Sequence, residues 1–289
     1  MKNYLKLIRV EQYIKNLFVF APLFFGSQFL NTFLFSNVFM AFVCFCLASS
    51  GIYILNDYFD IDEDKNHPEK SKRPLASGKI SLKKGLLLMA FLIFITLIIS
   101  YFISEKLFFV ILSYLILNLL YSKWLKHIAI LDVNIIAVGF VLRIIAGTVV
   151  SEIVPSIWIL LITYLLALFL AISKRRTDVI HAVNGKEVRK NIEGYNLVFV
   201  DSMLGILASI IIVCYIFYCI SPEVQLHYNS NLLYVSIIFV INGIFRYLKL
   251  AFVNQSTYSP TKIVLNDRFI QITIFGWLLL MSYLLYLRN

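Results

Sequence analysis

The chain has 289 residues, of which 60% are hydrophobic and 15% charged, and its mean hydropathy is +0.84. Soluble domains are about 45–50% apolar and about 25% charged, so a soluble globular enzyme, a disordered chain and a disulfide-stapled scaffold are excluded. Lys and Arg outnumber Asp and Glu by 26 to 16, a formal net charge of +10, and the placement of those charges decides what they mean.

A spanning helix needs ~20 apolar residues. The N-terminus carries several charges but no small-residue cleavage site, so its first apolar run reads as a retained span. From Asn16 to Asn56 no residue is charged, which gives room for two helices with a turn near 30–37. Further apolar runs follow at about 84–103, 107–121, 128–150, 155–173, 197–220, 231–250 and 267–287. The expectation is an all-α polytopic membrane bundle of nine transmembrane helices, folded as a single domain over residues 1–289. With the N-terminus inside, 23 of the 26 basic residues fall in 1–15, 57–84, 122–127, 174–196 and 246–268, as the positive-inside rule demands. The polar loops 57–84 and 174–196 are therefore expected on the cytoplasmic face of the cell (inner or plasma) membrane. Topology explains much of the basic excess, and no nucleic-acid partner is implied. Cys44, Cys46, Cys214 and Cys219 lie within apolar stretches and read as packing residues. His67, His127 and His181 lack the spacing of metal ligands, so no zinc is expected.

The segment 51–79 carries the chemistry. Asn56, Asp57, Asp60 and Asp64 recur at helical spacing, which puts their side chains on one face at the end of the second span. Clustered carboxylates repel one another unless a cation sits among them, and hard oxygen ligands of this kind suit Mg²⁺ together with phosphate oxygens. Seven basic residues follow directly, Lys65 to Lys84, with Lys70, Lys72 and Arg73 at their centre. Acids for a metal beside bases for phosphate are the parts of a site for a Mg-bound diphosphate. Arg143 lies inside a span, where a charge must face a polar cavity or pair with an acid; Asp132, Asp201 and a phosphate are its alternatives. Lys15 and Asn16 stand where the first span begins, and Asp267 with Arg268 reads as a charged pair opening the last helix.

Asn56-Asp57-x-x-Asp60-x-x-x-Asp64 at the end of a second membrane helix resembles the first aspartate-rich motif of the UbiA prenyltransferase superfamily. The continuation His67-Pro68-x-Lys70-x-Lys72-Arg73-Pro74-Leu75-Ala76-Ser77-Gly78 is similar to one branch, the decaprenyl-phosphate phosphoribosyltransferases. Arg9-Val-Glu-Gln12-Tyr-Ile-Lys15-Asn16 resembles the N-terminal pattern of that branch, with Val10 in place of a proline. The stretch from Leu131-Asp132-Val133 to Arg143, Ala146 and Gly147, and Ser259-Pro260-Thr261 through Asp267-Arg268, resemble two further segments. The loop after the sixth helix departs from the aromatic-acceptor members: Ser173-Lys174-Arg175-Arg176-Thr177-Asp178 lacks paired carboxylates.

The resemblance implies a UbiA-like fold and a Mg²⁺-dependent membrane enzyme. It would transfer 5-phosphoribose from 5-phosphoribosyl-1-diphosphate (PRPP) to a polyprenyl, decaprenyl-type phosphate lipid held in the bilayer, releasing diphosphate. It implies Asp57, Asp60 and Asp64 as metal-holding catalytic residues. Lys15, Asn16, Asn56, Lys70, Lys72, Arg73, Arg143, Lys174, Arg175, Arg176 and Tyr195 are the substrate-binding candidates. One rival is a UbiA-type prenyltransferase acting from prenyl diphosphate on an aromatic or small acceptor, which predicts a second carboxylate cluster. The other is a transporter, which predicts polar residues at the bilayer midplane.

Overall fold

Proline and glycine set the path of the N-terminal segment. The computed structural model describes residues 2–66, 70–183, 194–253 and 260–287; His67, the loop 184–193 and Ser259 lie outside the described residues. Helix α1 (Lys2–Ile8) ends at Arg9, whose φ of 52° is left-handed. A 3₁₀-helix then runs over Val10–Phe20 and passes into a short α2 (Ala21–Phe25). An eleven-residue 3₁₀ run is unusual, since such helices seldom exceed 3–4 residues. Pro22 has no N–H to offer Phe18, and the Ala21 N–H turns to the Phe18 carbonyl instead, so the segment cannot continue as one α-helix. The first expected span is thus present as a broken helix. Its turn comes earlier than expected, before Asn31, whose side chain caps α3 by accepting from the Leu34 N–H at 3.3 Å.

Eight helices among the described residues are long and apolar enough to cross a membrane. They are α3 (Thr32–Phe59), α5 (Leu82–Ile103), α6 (Glu105–Lys123), α7 (Leu131–Ser151), α8 (Ile157–Val183), α9 (Leu197–Ile220), α11 (Ile237–Phe252) together with the 3₁₀ turn Leu233–Ser236 that leads into it, and α13 (Arg268–Ser282) together with the π-helical turn Tyr283–Leu287 that continues it. Short helices α4 (Ile61–Asn66), α10 (Pro222–His227) and α12 (Pro260–Asn266) join them, and no strand occurs among the described residues. The chain is a multi-pass, all-helical membrane protein. Helix α8 runs ten residues beyond the expected end of its span, because nothing between Lys174 and Val183 is a glycine or proline and Lys174, Arg175, Arg176 and Ala182 propagate a helix well.

The backbone divides into two compact units, Met1–Pro155 and Ser156–Asn289. In the first, α3 is the central helix. Val38, Ala41, Phe45, Ala48 and Ile52 are buried at helical spacing against Leu107, Ile111 and Tyr114 of α6, Ala146 of α7, and Val19 and Leu23 of the N-terminal segment. Lipid tails are as apolar as leucine, so close packing rather than water exclusion must hold such helices together. Gly147 of α7 supplies the closest approach: a β-carbon there would lie 2.0 Å from the Val19 carbonyl oxygen. Cys44 and Cys46 are free and buried in this unit, Cys214 and Cys219 in the other, in keeping with packing roles.

In the second unit α8 pairs with α9 and α11 with α13. Trp277 donates to the Tyr215 hydroxyl at 2.6 Å, and Ser173 and Tyr247 share a bond of 2.6 Å. The charged pair expected at the last helix takes a different form. Asp267 caps α13 through the Ile270 N–H at 3.0 Å and binds Arg246 of α11 with both oxygens, at 3.1 and 2.8 Å from Oδ2 and 3.2 Å from Oδ1. Arg246 holds the Asp267 carboxyl below the ordinary carboxylate range. Loss of this cap and pair in Asp267→Ala is expected to destabilise by about 1–2 kcal/mol, with Asp267→Asn milder because an amide still caps. The sign with pH follows from the lowered pKa: the contribution is complete above the unfolded carboxylate value and is lost as pH falls through the folded one. Melting curves of the wild type and Asp267→Ala in detergent, converging as the medium is acidified, check this.

Candidate active site

The aspartate motif lies where α3 gives way to α4. Asp60 ends α3, yet its N–H still reaches the Asn56 carbonyl at 2.9 Å, and the Asp64 N–H reaches the Asp60 carbonyl at 2.8 Å. The helical register therefore survives the joint, and the side chains converge on basic residues drawn from three separate segments. Asp57 and Asp64 are 2% and 1% exposed. Arg73 bridges them from one nitrogen, Nη1, at 3.2 Å to Asp57 and 2.6 Å to Asp64. Arg9 donates to Asp57 as well, and Lys126 donates to Asp60. Buried carboxylates cost several kcal/mol each unless paired, so this pairing is what lets Asp57 and Asp64 gather beside the partly exposed Asp60.

Arg73 is held by the loop that carries it. Leu75 and Ile80 are buried with Leu7, Ile54 and Leu92, which pins the loop onto α1, α3 and α5. Gly78, at φ 70°, makes the turn that returns its N–H to the Leu75 carbonyl at 3.1 Å. The Ser77 hydroxyl donates to the Arg73 carbonyl at 2.7 Å. Lys70 and Lys72 occupy the 3₁₀ turn just before Arg73, with Lys72 exposed. Arg9 lies over the Tyr53 ring, 4.8 Å from its centroid, and its left-handed backbone is the strained point from which it reaches Asp57.

The oxygen atoms of this cluster also suit a cation. Asn56 Oδ1 and Asp64 Oδ1 are buried and meet no hydrogen-bond donor among the described residues. Unsatisfied buried acceptors of this hard type are the donor set that Mg²⁺ takes. Among the described residues no three acidic, histidine or cysteine side chains already stand as a cage, because the carboxylates are turned to Arg9, Arg73 and Lys126.

A second polar layer lies further along α3. Asn16, 1% exposed, donates to Cys46 Sγ and Ser49 Oγ at 3.3 Å each, and its Oδ1 accepts from Arg143 Nε at 2.8 Å. Arg143 also donates to the Gly139 carbonyl at 2.6 Å and the Tyr114 hydroxyl at 3.3 Å. Phe45, Tyr114 and Phe140 surround its guanidinium at 5.1–5.4 Å from their centroids. Its protein partners are thus a neutral amide, a backbone carbonyl and aromatic groups, and neither Asp132 nor Asp201 pairs with it. Lys15, next to Asn16 in the chain, is partly buried.

The remaining candidates belong to the second unit. Lys174, Arg175 and Arg176 stand on α8, not in a loop, with Arg175 and Arg176 buried. Arg175 pairs with Asp178 at 2.7 Å and Arg176 with Asp201 at 2.7 Å, so Asp201 takes this arginine as its partner. Arg176 Nη1 is buried without a hydrogen-bond partner among the described residues. Tyr195 is buried next to the Asn196 cap of α9 and packs towards Phe199. Sequence reasoning gave Arg9 and Lys126 no role. Arg9 stands within the N-terminal pattern, and Lys126 is one of only two Lys or Arg residues in the expected inside segment 122–127, which was the signal available for each.

The described residues thus form a helical membrane protein with eight apolar helices and an acid–base cluster at the end of α3. The profile of the UbiA prenyltransferase family matches residues 17–279. The chain is 33% identical over 285 residues to a decaprenyl-phosphate phosphoribosyltransferase of Mycolicibacterium smegmatis, covering 95% of this chain and 89% of that one. It is 30% identical over 278 residues to a protein of the same name from Mycobacterium tuberculosis, covering 94% and 91%. Its fold matches a UbiA homolog from Archaeoglobus fulgidus bound to DMAPP and Mg²⁺, with TM-score 0.72, 19% identity, and 98% and 99% of the two chains covered. The chain belongs to the UbiA prenyltransferase family.

Proposed function

We propose that the chain transfers 5-phosphoribose from PRPP to a polyprenyl phosphate of the decaprenyl type, at the cytoplasmic face of the cell membrane. The observation that carries this reading is the cluster of Asp57, Asp60 and Asp64 interleaved with Arg9, Arg73 and Lys126. The names of the relatives, similar over most of both chains, support decaprenyl phosphate as acceptor and phosphoribose as the group transferred, and PRPP as the donor is what the family resemblance implies.

Asp57, Asp60 and Asp64, with Asn56 Oδ1, would hold Mg²⁺, which when bound neutralises charge on the diphosphate. A phosphate oxygen of the lipid forms a bond to C1 of the ribose, and the C1–O bond to diphosphate breaks with its electron pair on the departing oxygen. Arg73, with Lys70 and Lys72 beside it, binds the diphosphate oxygens, and the guanidinium can take two at once. Arg9 and Lys126 have carboxylate partners that loading of the site would draw away, freeing both for phosphate. Arg175, Arg176, Lys174 and Tyr195 are proposed for the remaining substrate contacts. The acceptor is already an anion near neutral pH, so no general base is required.

The test is a membrane assay with labelled PRPP, polyprenyl phosphate and Mg²⁺. A lipid-soluble, acid-labile ribosyl product is expected. Prenyl transfer from a prenyl diphosphate to a small acceptor, with no ribosyl lipid, would overturn the reading.

A further inference from the structure

Two segments of the first unit, residues 2–10 and 70–84, carry bases and no acid. One small apolar cluster joins them. Leu7 of α1, Leu75 and Ile80 of the Arg73 loop, Ile54 of α3 and Leu92 of α5 are buried together. Gly85, in the first turn of α5, lies so near this cluster that a β-carbon there would stand 2.8 Å from Leu75 Cδ2. The sequence neighbours of these anchors are exposed lysines. Lys6 adjoins Leu7, Lys79 adjoins Ile80, Lys83 and Lys84 precede Gly85, and Lys2 stands about one helical turn before Lys6. None of the five has a hydrogen bond or ion pair among the described residues. Other bases of this unit are matched: Arg9, Arg73 and Lys126 face carboxylates, and Lys65 pairs with Asp62 at 3.2 Å. Tyr4, Leu5 and Leu82 are exposed among the unmatched lysines. Large apolar groups mixed with lysine make a surface suited to the interfacial plane of a bilayer, rings and methyl groups toward the acyl chains and ammonium groups among lipid phosphates. The positive-inside rule accounts for the side on which these bases lie. It does not require them to gather without acids around one apolar anchor.

We propose that Lys2, Lys6, Lys79, Lys83 and Lys84 form one surface that binds the headgroups of acidic phospholipids in the surrounding leaflet, and that this contact steadies the loop carrying Arg73. Lysine suits such a partner: its flexible stem carries a point charge that can follow a fluid layer of phosphodiesters, where a fixed ligand would call for the planar fork of arginine. The link to the active site is short. Ile80 and Gly85 touch the cluster that holds Leu75, and Arg73, two residues before Leu75, bridges Asp57 and Asp64. Lysines without acids repel one another across α1, the loop and α5, and acidic headgroups remove that repulsion.

The full chain in nanodiscs tests this, in phosphatidylcholine alone and in an equimolar mixture with phosphatidylglycerol. The acidic lipid is expected to raise the melting temperature of the wild type by about 2–4 °C. Exchange of the Ser77, Gly78 and Ile80 amides, which bond to the carbonyls of Arg73, Leu75 and Pro74, is expected to slow about fivefold or more. The triple variant Lys79→Gln, Lys83→Gln, Lys84→Gln is expected to lose both responses while melting in phosphatidylcholine at or slightly above the wild-type temperature. If it fails to fold, Lys2→Gln with Lys6→Gln, on the other element, takes its place, with a reduced response expected. Responses of equal size in wild type and variant, or none in the wild type, overturn the surface. A melting shift with unchanged amide exchange at 77–80 overturns its hold on the Arg73 loop. Inorganic phosphate added to phosphatidylcholine nanodiscs is expected to give neither response, and a response to it overturns the lipid as partner in favour of a soluble anion. No substrate is present, so the outcome is independent of which group the enzyme transfers.

Discussion

Replacing Asp60 by asparagine is expected to lower phosphoribosyl transfer by about three orders of magnitude, the worth of ~4 kcal/mol of transition-state stabilisation, while yield and melting temperature stay near wild type. Asp60 is the informative carboxylate because its fold role is slight. Its side chain is 17% exposed, and its ion pair is with Lys126 at the surface of the cluster. Its backbone bonds to Asn56 and from Asp64 are indifferent to the substitution. Asp57 would be a poorer test, since two arginines converge on it in the interior and its loss leaves them uncompensated. Turnover by Asp60→Asn at a tenth of the wild-type rate or better removes Asp60 from the proposed metal set.

The second large effect concerns a residue with no chemistry. Gly147→Ala places a methyl group 2.0 Å from the Val19 carbonyl oxygen and 3.1 Å from Pro22 Cδ. The obstacle is backbone, so a side-chain adjustment cannot relieve it and the N-terminal segment must move off α7. Overpacking of this kind costs about 1–3 kcal/mol and occasionally more, and with backbone as the obstacle the upper end is expected, with Asn16 also drawn away from Arg143. Gly205→Ala, in α9, is the control. Nothing lies within 4 Å of its β-carbon, and removing a mid-helix glycine is expected to be neutral or to stabilise by about 0.5–1 kcal/mol. Thermal unfolding in detergent reads both, and a Gly147→Ala protein melting with wild type would sink the close-approach argument.

The spans were legible in the sequence wherever an apolar run was continuous. The expected 197–220 is α9 residue for residue, and the other continuous runs, α8 apart, differ by a few residues at their ends. Hydropathy failed at two places for different physical reasons. At residues 10–25 a broken helix stands in the first span, because composition does not report the lost N–H of Pro22 or the contact that Gly147 permits. At Lys174–Val183 charge was read as loop, whereas Lys and Arg propagate a helix well and Arg175 gains Asp178 three residues on. Carboxylate spacing showed that Asp57, Asp60 and Asp64 belong together. It did not show their partners, because Arg9 is 48 residues away from Asp57, and Lys126 is 66 from Asp60. Arg143 was legible as a costly interior charge, but not that an amide and three aromatic rings would receive it.

The length of α3 has a kinetic meaning. Twenty-eight residues span about 42 Å, against a hydrocarbon core of about 30 Å and about 40–45 Å with headgroups included. Asn56 and Asp57 occupy its last turn, so a bilayer centred on α3 would bring the cluster to headgroup depth, the level at which lipid phosphates reside. On the proposed reaction the acceptor reaches the cluster by sliding within its own leaflet, with no lifting of its chain into water. Rate should then saturate with the mole fraction of acceptor in the bilayer. Diluting the vesicles at fixed lipid composition should leave the rate per enzyme unchanged, whereas diluting the acceptor with inert lipid should lower it.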